Sequence, residues 1–127
     1  MNPLIPSDPL AEMINTLDLA AIDNPNSRED LFEGQSQWMP HGRVFGGQVL
    51  AQSLVAASRT ISGRSVHSMH GYFLRPGDIN LPVTYSVDRL RDGRSFSTRR
   101  VQGFQNGEPI FSICLLYTSP SPRDAHE

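Results

Sequence analysis

Lysine is absent from this 127-residue chain, and cysteine occurs once, at Cys114. A single cysteine excludes an internal disulfide framework and a cysteine-rich zinc site. No apolar run approaches the roughly 20 residues that a membrane-spanning helix needs, so we predict no membrane segment. The first ten residues carry neither a basic stretch nor an apolar stretch. This composition argues against a signal peptide and makes the cytoplasm the expected compartment.

The common nucleotide-binding and esterase motifs are also missing. The chain has no G-x-S-x-G elbow, no phosphate-binding P-loop, no G-x-G-x-x-G and no metal-binding triad. These absences exclude a serine esterase of the usual kind and lead us to predict neither a cofactor nor a bound metal. No strand alternates basic and aromatic residues in the way an RNA-recognition strand does, so we predict no nucleic-acid partner.

What is present is the composition of one globular domain, with 38% hydrophobic and 19% charged residues. Acidic side chains concentrate in residues 1–40, whereas nine of the eleven basic residues, all arginines, lie in residues 41–113. An arginine-rich segment permits an anionic partner without requiring one. A GC-rich genome is the simpler explanation for the exclusive use of arginine.

Two segments have the residue spacing of helices. Asp8 followed by Pro9 is typical of an N-cap and a first helical residue, and apolar residues then recur with a helical period over residues 9–19. Gly46-Gly47 begins a second segment, over residues 46–61, that is apolar or small nearly all round. A helix of that composition is expected to be buried.

After the second helix the period changes to two, which indicates strands. A short strand is predicted over 31–36, before the second helix, and a meander of four antiparallel strands is predicted over 66–74, 83–91, 95–105 and 109–116. Asp92-Gly93 and Asn106-Gly107 are hairpin dipeptides, and Arg75–Asp78 has the composition of a turn. The order of elements predicts an α+β fold in which one helix lies on one antiparallel sheet.

The C-terminal residues do not continue this pattern. Ser119–Asp124 is polar and proline-rich, as in a linker to a further domain. The stretch Cys114–Asp124 also resembles the translation of a transposase sequencing adaptor. On that resemblance we expect the natural sequence to stop near Ile113, residues 114–127 to be a non-native tail, and Cys114 to carry no function.

Several stretches of the central segment resemble the acyl-CoA thioesterase II family. They are Arg43–Gln52 (RVFGGQVLAQ), Val66–Asp78 (VHSMHGYFLRPGD), Leu90–Val101 (LRDGRSFSTRRV) and Gln105–Phe111 (QNGEPIF). The resemblance implies a hotdog fold, in which a sheet wraps a long central helix, and hydrolysis of acyl-CoA. Family members carry two such repeats, and this chain matches the first, so residues 1–113 are predicted to be an N-terminal hotdog domain. The water-activating Asp, Thr or Ser, and Gln of the family lie in the second repeat and match no residue here.

The candidate substrate-binding residues are Gly46, Gly47, Gln48 and Arg75. The first three begin the second helix, whose N-terminal N–H groups can polarise a thioester carbonyl and stabilise the oxyanion. Alternatively, the two glycines only allow a tight turn into the helix. Arg75 is placed to meet a coenzyme A phosphate, or else forms a surface ion pair.

His67 is the candidate catalytic residue, because it matches the family's histidine next to the substrate region. Period two places His67 on one strand face with Met69 and Phe73 and places His70 on the other, which argues against a shared zinc ion. The alternative role for His67 is that of a hydrogen-bonded structural histidine.

These observations predict the N-terminal half of an acyl-CoA thioesterase, with acyl-CoA as substrate and a second hotdog repeat or a second copy of the chain as partner. One alternative is a non-catalytic hotdog module that binds acyl-CoA or forms dimers. A hotdog hydratase is a further alternative, but it requires an Asp and a His placed for proton transfer to an enoyl group. No loop carrying that pair is evident in the sequence.

Overall fold

The computed structural model describes residues 8–120, which form two helices and one six-stranded sheet. The helices are α1 (Pro9–Leu17) and α2 (Gly46–Ser58). The strands are β1 (Ala20–Ile22), β2 (Asp30–Gly34), β3 (Ser65–Phe73), β4 (Val83–Asp92), β5 (Phe96–Gln105) and β6 (Glu108–Thr118). All neighbouring strands are antiparallel, and their order across the sheet is β1-β2-β4-β5-β6-β3.

Helix α2 packs on β4 and β5, so the predicted α+β fold with one helix on one antiparallel sheet is confirmed. The predicted meander is wrong for its first strand, because β3 pairs with β6 rather than with β4. The connection over residues 74–82 explains the difference. Arg75–Asp78 is not a tight hairpin between adjacent strands; it belongs to a longer loop that leads from β3 at the edge of the sheet to β4 in its middle.

The hydrophobic core lies between α2 and one face of the central strands. Burial alternates along β5 and along residues 111–118 of β6, as expected for strands with one face against a helix, whereas in β4 the buried residues lie in its first half. Ala56 and Ala57 of α2 are fully buried and allow the helix to approach the sheet closely. The buried core side chains of the three strands are Val83, Tyr85, Val87, Val101, Ile110, Phe111, Ile113, Leu115 and Tyr117.

Helix α1 begins as predicted but leaves its apolar face open. The carboxylate of Asp8 accepts hydrogen bonds from the backbone N–H groups of Leu10 and Ala11, and Pro9 is the first helical residue. No residue of α1 is buried, and the apolar side chains of Met13 and Ile14 are about half exposed (49% and 58%). This helix is therefore stabilised mainly by the helix propensity of its residues and by the Asp8 N-cap, and only little by burial of apolar side chains.

Strand β6 continues beyond Ile113, the predicted end of the domain. Residues 114–118 pair with both β3 and β5, and Leu115 and Tyr117 are buried in the core. These residues therefore belong to the sheet, whether they are native or come from an adaptor. Of the predicted tail, residues 121–127 lie outside the described part of the chain.

The hairpin predicted at Asn106-Gly107 joins β5 to β6, and both residues have positive φ (50° and 75°). This conformation is the one that an Asn-Gly pair adopts most readily in a two-residue hairpin turn. Neither described helix is long and apolar enough to cross a bilayer.

Candidate functional site

The first turn of α2 presents free backbone donors. Its N-cap residue, Phe45, is extended and provides no side-chain cap. The carbonyl of Phe45 accepts from the N–H groups of Gln48 and Val49, whereas the N–H groups of Gly46 and Gly47 have no acceptor within residues 8–120. Two donors at the positive end of a helix can bind a partly negative oxygen.

A cavity of about 340 Å³ lies beside this turn and is called the entry cavity below. It is formed where α2 begins, β3 ends and the crossing loop leaves the sheet. Its lining residues are Val44, Gly46, Val49, Phe73, Leu74, Arg75, Pro76, Gly77 and Ile110. A Cβ atom at position 46 would lie 3.2 Å from Cε1 of Phe73, so glycine lets the aromatic ring approach the backbone at the start of α2.

The loops around the entry cavity are held by hydrogen bonds. The N–H of Val44 donates to the carbonyl of Gly77 at 2.8 Å, and the N–H of Ile79 donates to the carbonyl of Gly42 at 3.1 Å. Gln105, buried at the end of β5, accepts from the N–H of Asp78 and donates to the Asp78 carbonyl. The mouth of the cavity is therefore built from loops that are pinned to the sheet.

A second, smaller cavity of about 180 Å³ lies between α1 and α2 and is called the helix cavity below. Its lining residues are Met13, Thr16, Leu17, Gln37, Phe45, Gly47, Gln48 and Ala51. The ring of Phe45 lies against the backbone of Gly47, where a Cβ atom would come 2.5 Å from Cε2 of Phe45. The first turn of α2 thus separates two cavities.

The structure divides the predicted binding residues between these cavities. Gly46 and Arg75 line the entry cavity, whereas Gly47 and Gln48 line the helix cavity. The side chain of Gln48 is already engaged, because its Oε1 accepts from the N–H of Gln37 and its Nε2 donates to Oγ of Ser36. Gln48 therefore holds the loop before the helix and offers a ligand few free polar atoms.

Arg75 lines the entry cavity and forms the surface ion pair that was the alternative to phosphate binding. Its guanidinium donates to the carbonyl of Pro109 at 2.7 Å and lies 3.5 Å from Oε2 of Glu108. Both side chains of this ion pair are exposed, and such pairs contribute little to stability. An anionic group at the entry cavity can compete with Glu108 for the guanidinium.

His67 lies apart from the first turn of α2. Phe73 lies six positions further along the extended strand, which corresponds to about 20 Å within one copy of the chain. The pairing of β3 with β6 shifts between Val66 and Ser68, and His67 has no partner in the register. Strict alternation of side chains predicted that His67 shares a strand face with Met69. That prediction does not hold across this bulge, although Met69 and Phe73 do share a face.

Sequence reasoning missed the aromatic side chains around the helix end and the whole helix cavity. Phe73 lies at the end of a predicted strand, and nothing local indicates that its ring lies against Gly46. The available signal for the helix cavity was the pair Gln48 and Gln52, long polar residues four apart on a helix whose other residues are apolar or small. Within residues 8–120, no three metal-binding side chains are grouped to hold an ion.

Comparison with solved structures identifies the fold class of the chain. A tesB protein from Mycobacterium avium subs. paratuberculosis matches with a TM-score of 0.76 and 38% identity, covering 88% of this chain and 44% of that one. The acyl-CoA thioesterase II TesB2 from Mycobacterium marinum matches with a TM-score of 0.73 and 40% identity, covering 87% of this chain and 39% of that one. The chain is therefore a hotdog domain, as the resemblance implied.

Sequence comparison then gives the family. The family model described as the acyl-CoA thioesterase N-terminal domain matches residues 35–118, so the chain belongs to this family of thioester hydrolases. Acyl-coenzyme A thioesterase 8 of Homo sapiens is 44% identical over 119 residues, which are 91% of this chain and 37% of that protein. The chain thus spans less than half the length of these relatives.

Proposed function

We propose that this chain is the N-terminal hotdog half of an enzyme that hydrolyses fatty acyl-CoA to a free fatty acid and coenzyme A. The observation that carries the proposal is the pair of free N–H groups, on Gly46 and Gly47, at the start of α2 and between two cavities. The family relationship supports the choice of a thioester as the bound group.

In the proposed reaction these two N–H groups bind the carbonyl oxygen of the thioester. A water molecule attacks the carbonyl carbon, the oxygen gains negative charge, and the two donors stabilise that charge more strongly than they bind the ground state. The C–S bond then breaks, and the coenzyme A sulfur leaves and takes up a proton. Arg75 meets a phosphate of the coenzyme A arm in the entry cavity.

The groups that activate water are proposed to come from outside this chain. Neither cavity is lined by an Asp, Glu or His side chain, so the lining residues supply donors and walls but no general base. The resemblance implies an Asp, a Thr or Ser, and a Gln in a second repeat. His67 acts only if a second hotdog unit brings it to the thioester.

Strand β3 is the proposed contact for that second unit, which is either the second repeat or a second copy of the chain. All nine residues of β3 are exposed, and β3 is an edge strand with apolar side chains such as Met69, Tyr72 and Phe73. An uncovered apolar edge strand pairs readily with another strand.

The proposal is tested at Gly46, the first residue of α2. Proline is well tolerated at the first position of a helix and removes the N–H, and the extended Phe45 before it is compatible with proline. Gly46→Ala is the matched control, because it adds a Cβ atom near Phe73 but keeps the N–H. Octanoyl-CoA labelled with ¹³C at its carbonyl reports polarisation directly through its vibrational frequency.

We expect the carbonyl band to shift to lower frequency on binding to the wild type and to Gly46→Ala, and to shift less with Gly46→Pro. Affinity for octanoyl-CoA should be about 2- to 10-fold weaker for Gly46→Pro than for Gly46→Ala, as for the loss of one neutral hydrogen bond. Identical bands in the proline and alanine variants would show that the N–H of Gly46 does not bind the carbonyl.

The alternative function is a module that binds acyl-CoA without hydrolysing it. The absence of acidic and histidine side chains from both cavities favours this alternative for the chain when it is alone. The two functions differ in whether coenzyme A thiol is released, a measurement taken up in the Discussion.

A further inference from the structure

The helix cavity lies on the opposite side of the first turn of α2 from the entry cavity. Successive helical residues are turned by about 100° around the axis. Gly46 and Val49 therefore face one side, whereas Gly47 and Ala51 face the other, which agrees with the cavities that these residues line. A ligand whose middle part contacts the first turn of α2 therefore has one cavity available for each of its two ends.

Two of the three polar side chains that line the helix cavity, those of Gln48 and Thr16, have hydrogen-bond partners within the protein, and the third is that of Gln37. The amide of Gln48 is engaged by Ser36 and Gln37, and the hydroxyl of Thr16 donates to the carbonyl of Glu12 at 2.8 Å. The remaining walls come largely from Met13, Leu17, Phe45 and Ala51. A cavity with mostly apolar walls and no charged lining residue suits an uncharged hydrocarbon guest.

A buried hydrogen-bond network holds the two walls of this cavity together. Gln52 of α2 donates from Nε2 to the carbonyls of Thr16 (2.8 Å) and Gln35 (2.9 Å), and its Oε1 accepts from the hydroxyl of Tyr85. Gly34 is required at this point, because a Cβ atom there would lie 2.7 Å from Oε1 of Gln52. The last turn of α1 is therefore tied to α2, and the width of the cavity is set by the fold.

The charge of each cavity's lining indicates which part of an acyl-CoA molecule that cavity can bind. The entry cavity carries the guanidinium of Arg75, which suits the anionic phosphates of coenzyme A. The helix cavity contains no charged lining residue. Burying a phosphate there is costly, whereas each buried methylene group is favourable.

We propose that the helix cavity receives the distal part of the acyl chain, and that Met13 of α1 and Ala51 of α2 determine the longest chain accepted. This inference rests on the proposed function, because it takes the thioester carbonyl to lie over Gly46 and Gly47. It adds the place of the acyl chain in the structure and two residues that determine the chain-length specificity.

The test measures dissociation constants of the 127-residue chain for saturated acyl-CoAs from acetyl to dodecanoyl. Met13→Trp narrows the cavity from the side of α1, and Ala51→Leu narrows it from the side of α2. Ile14→Trp is the matched control, because Ile14 is a similarly exposed apolar residue of α1 that does not line the cavity. Circular dichroism verifies that each variant is folded.

For the wild type we expect about fourfold tighter binding for each added methylene group until the cavity is full, and no gain thereafter. In Met13→Trp and Ala51→Leu, affinity should stop increasing at an acyl chain several carbons shorter than in the wild type. Both variants should bind acetyl-CoA as tightly as the wild type does. Ile14→Trp should reproduce the wild-type series.

Two results overturn the inference while leaving the thioester site in place. One is a series that rises with chain length but is the same in Met13→Trp and Ile14→Trp, and the other is equal affinity for acetyl-CoA and dodecanoyl-CoA. No binding of any acyl-CoA to the wild type would instead overturn the proposed function itself, and this inference with it.

Discussion

Arg99 is the largest fully buried side chain of the described residues, with 1% of its surface exposed. Its guanidinium donates to the hydroxyl and carbonyl of Thr60, just beyond α2, and to Oδ1 of Asp92 at the end of β4. The hydrogen bonds from Arg99 and Ser97 hold the pKa of Asp92 below its usual value. Arg99 thus ties the C-terminal end of α2 to the hairpin between β4 and β5.

Replacing Arg99 is expected to be far more destabilising than replacing its neighbour Arg100. Arg99→Met leaves the carbonyl of Thr60 without its buried donor, and we expect a loss of about 2–4 kcal/mol in the free energy of unfolding. Arg100 forms a half-exposed pair with Asp88, so Arg100→Met should cost less than about 1 kcal/mol. Urea denaturation of both variants measures the difference, and equal losses would contradict the structural role of Arg99.

At the scale of the element, the length of β6 determines whether the sheet and its core are complete. It lies between β5 and β3, and its second half carries the buried Leu115 and Tyr117. Residues 114–118 also provide the partners for the first half of β3. The assignment of 114–124 to a sequencing adaptor stays a prediction about origin, separate from the structural place of these residues.

A chain that stops after Ile113 is therefore expected to fail to fold. It loses two core side chains and leaves half of β3 and half of β5 without a neighbour on that side. A chain that stops after Pro120 keeps the whole of β6 and is the control. Far-ultraviolet circular dichroism and thermal unfolding distinguish the two, and a cooperative transition in the shorter chain would mean that the domain ends at residue 113.

At the scale of the whole molecule, the described residues form one sheet with one helix across it and leave both cavities without a general base. Loss of a general base reduces rates by about 10²–10⁴-fold, and the missing wall of a site removes positioning as well. We therefore expect the isolated chain to bind acyl-CoA but to release almost no coenzyme A thiol. The assay follows thiol release from octanoyl-CoA with the wild type and with His67→Ala. Robust hydrolysis that is lost in His67→Ala would place the catalytic residues in this chain.

Much of the secondary structure could be predicted, because it depends on local signals. The cap at Asp8, the glycines that begin α2 and the Asn106-Gly107 turn each act within a few residues of chain. Which face of β5 is buried was not predicted, because Ser97 and Arg99 are buried whereas Phe96 is about half exposed. An arginine on a strand is expected in solvent, but Arg99 is buried because its guanidinium donates to Thr60 and Asp92 and to the backbone carbonyls of Arg91 and Thr98.

The sequence by itself determined the elements, the α+β class and, through its motifs, the family, because periodicity, turn dipeptides and motif spacing are carried by neighbouring residues. Only the tertiary structure decided that β3 crosses to pair with β6, that His67 lies at a bulge away from Gly46, and that α1 closes a cavity against α2. These features depend on contacts such as Gln52 with Thr16 and Phe73 with Gly46. Such contacts join residues far apart in the chain, and no local pattern records which distant partner a buried side chain will meet.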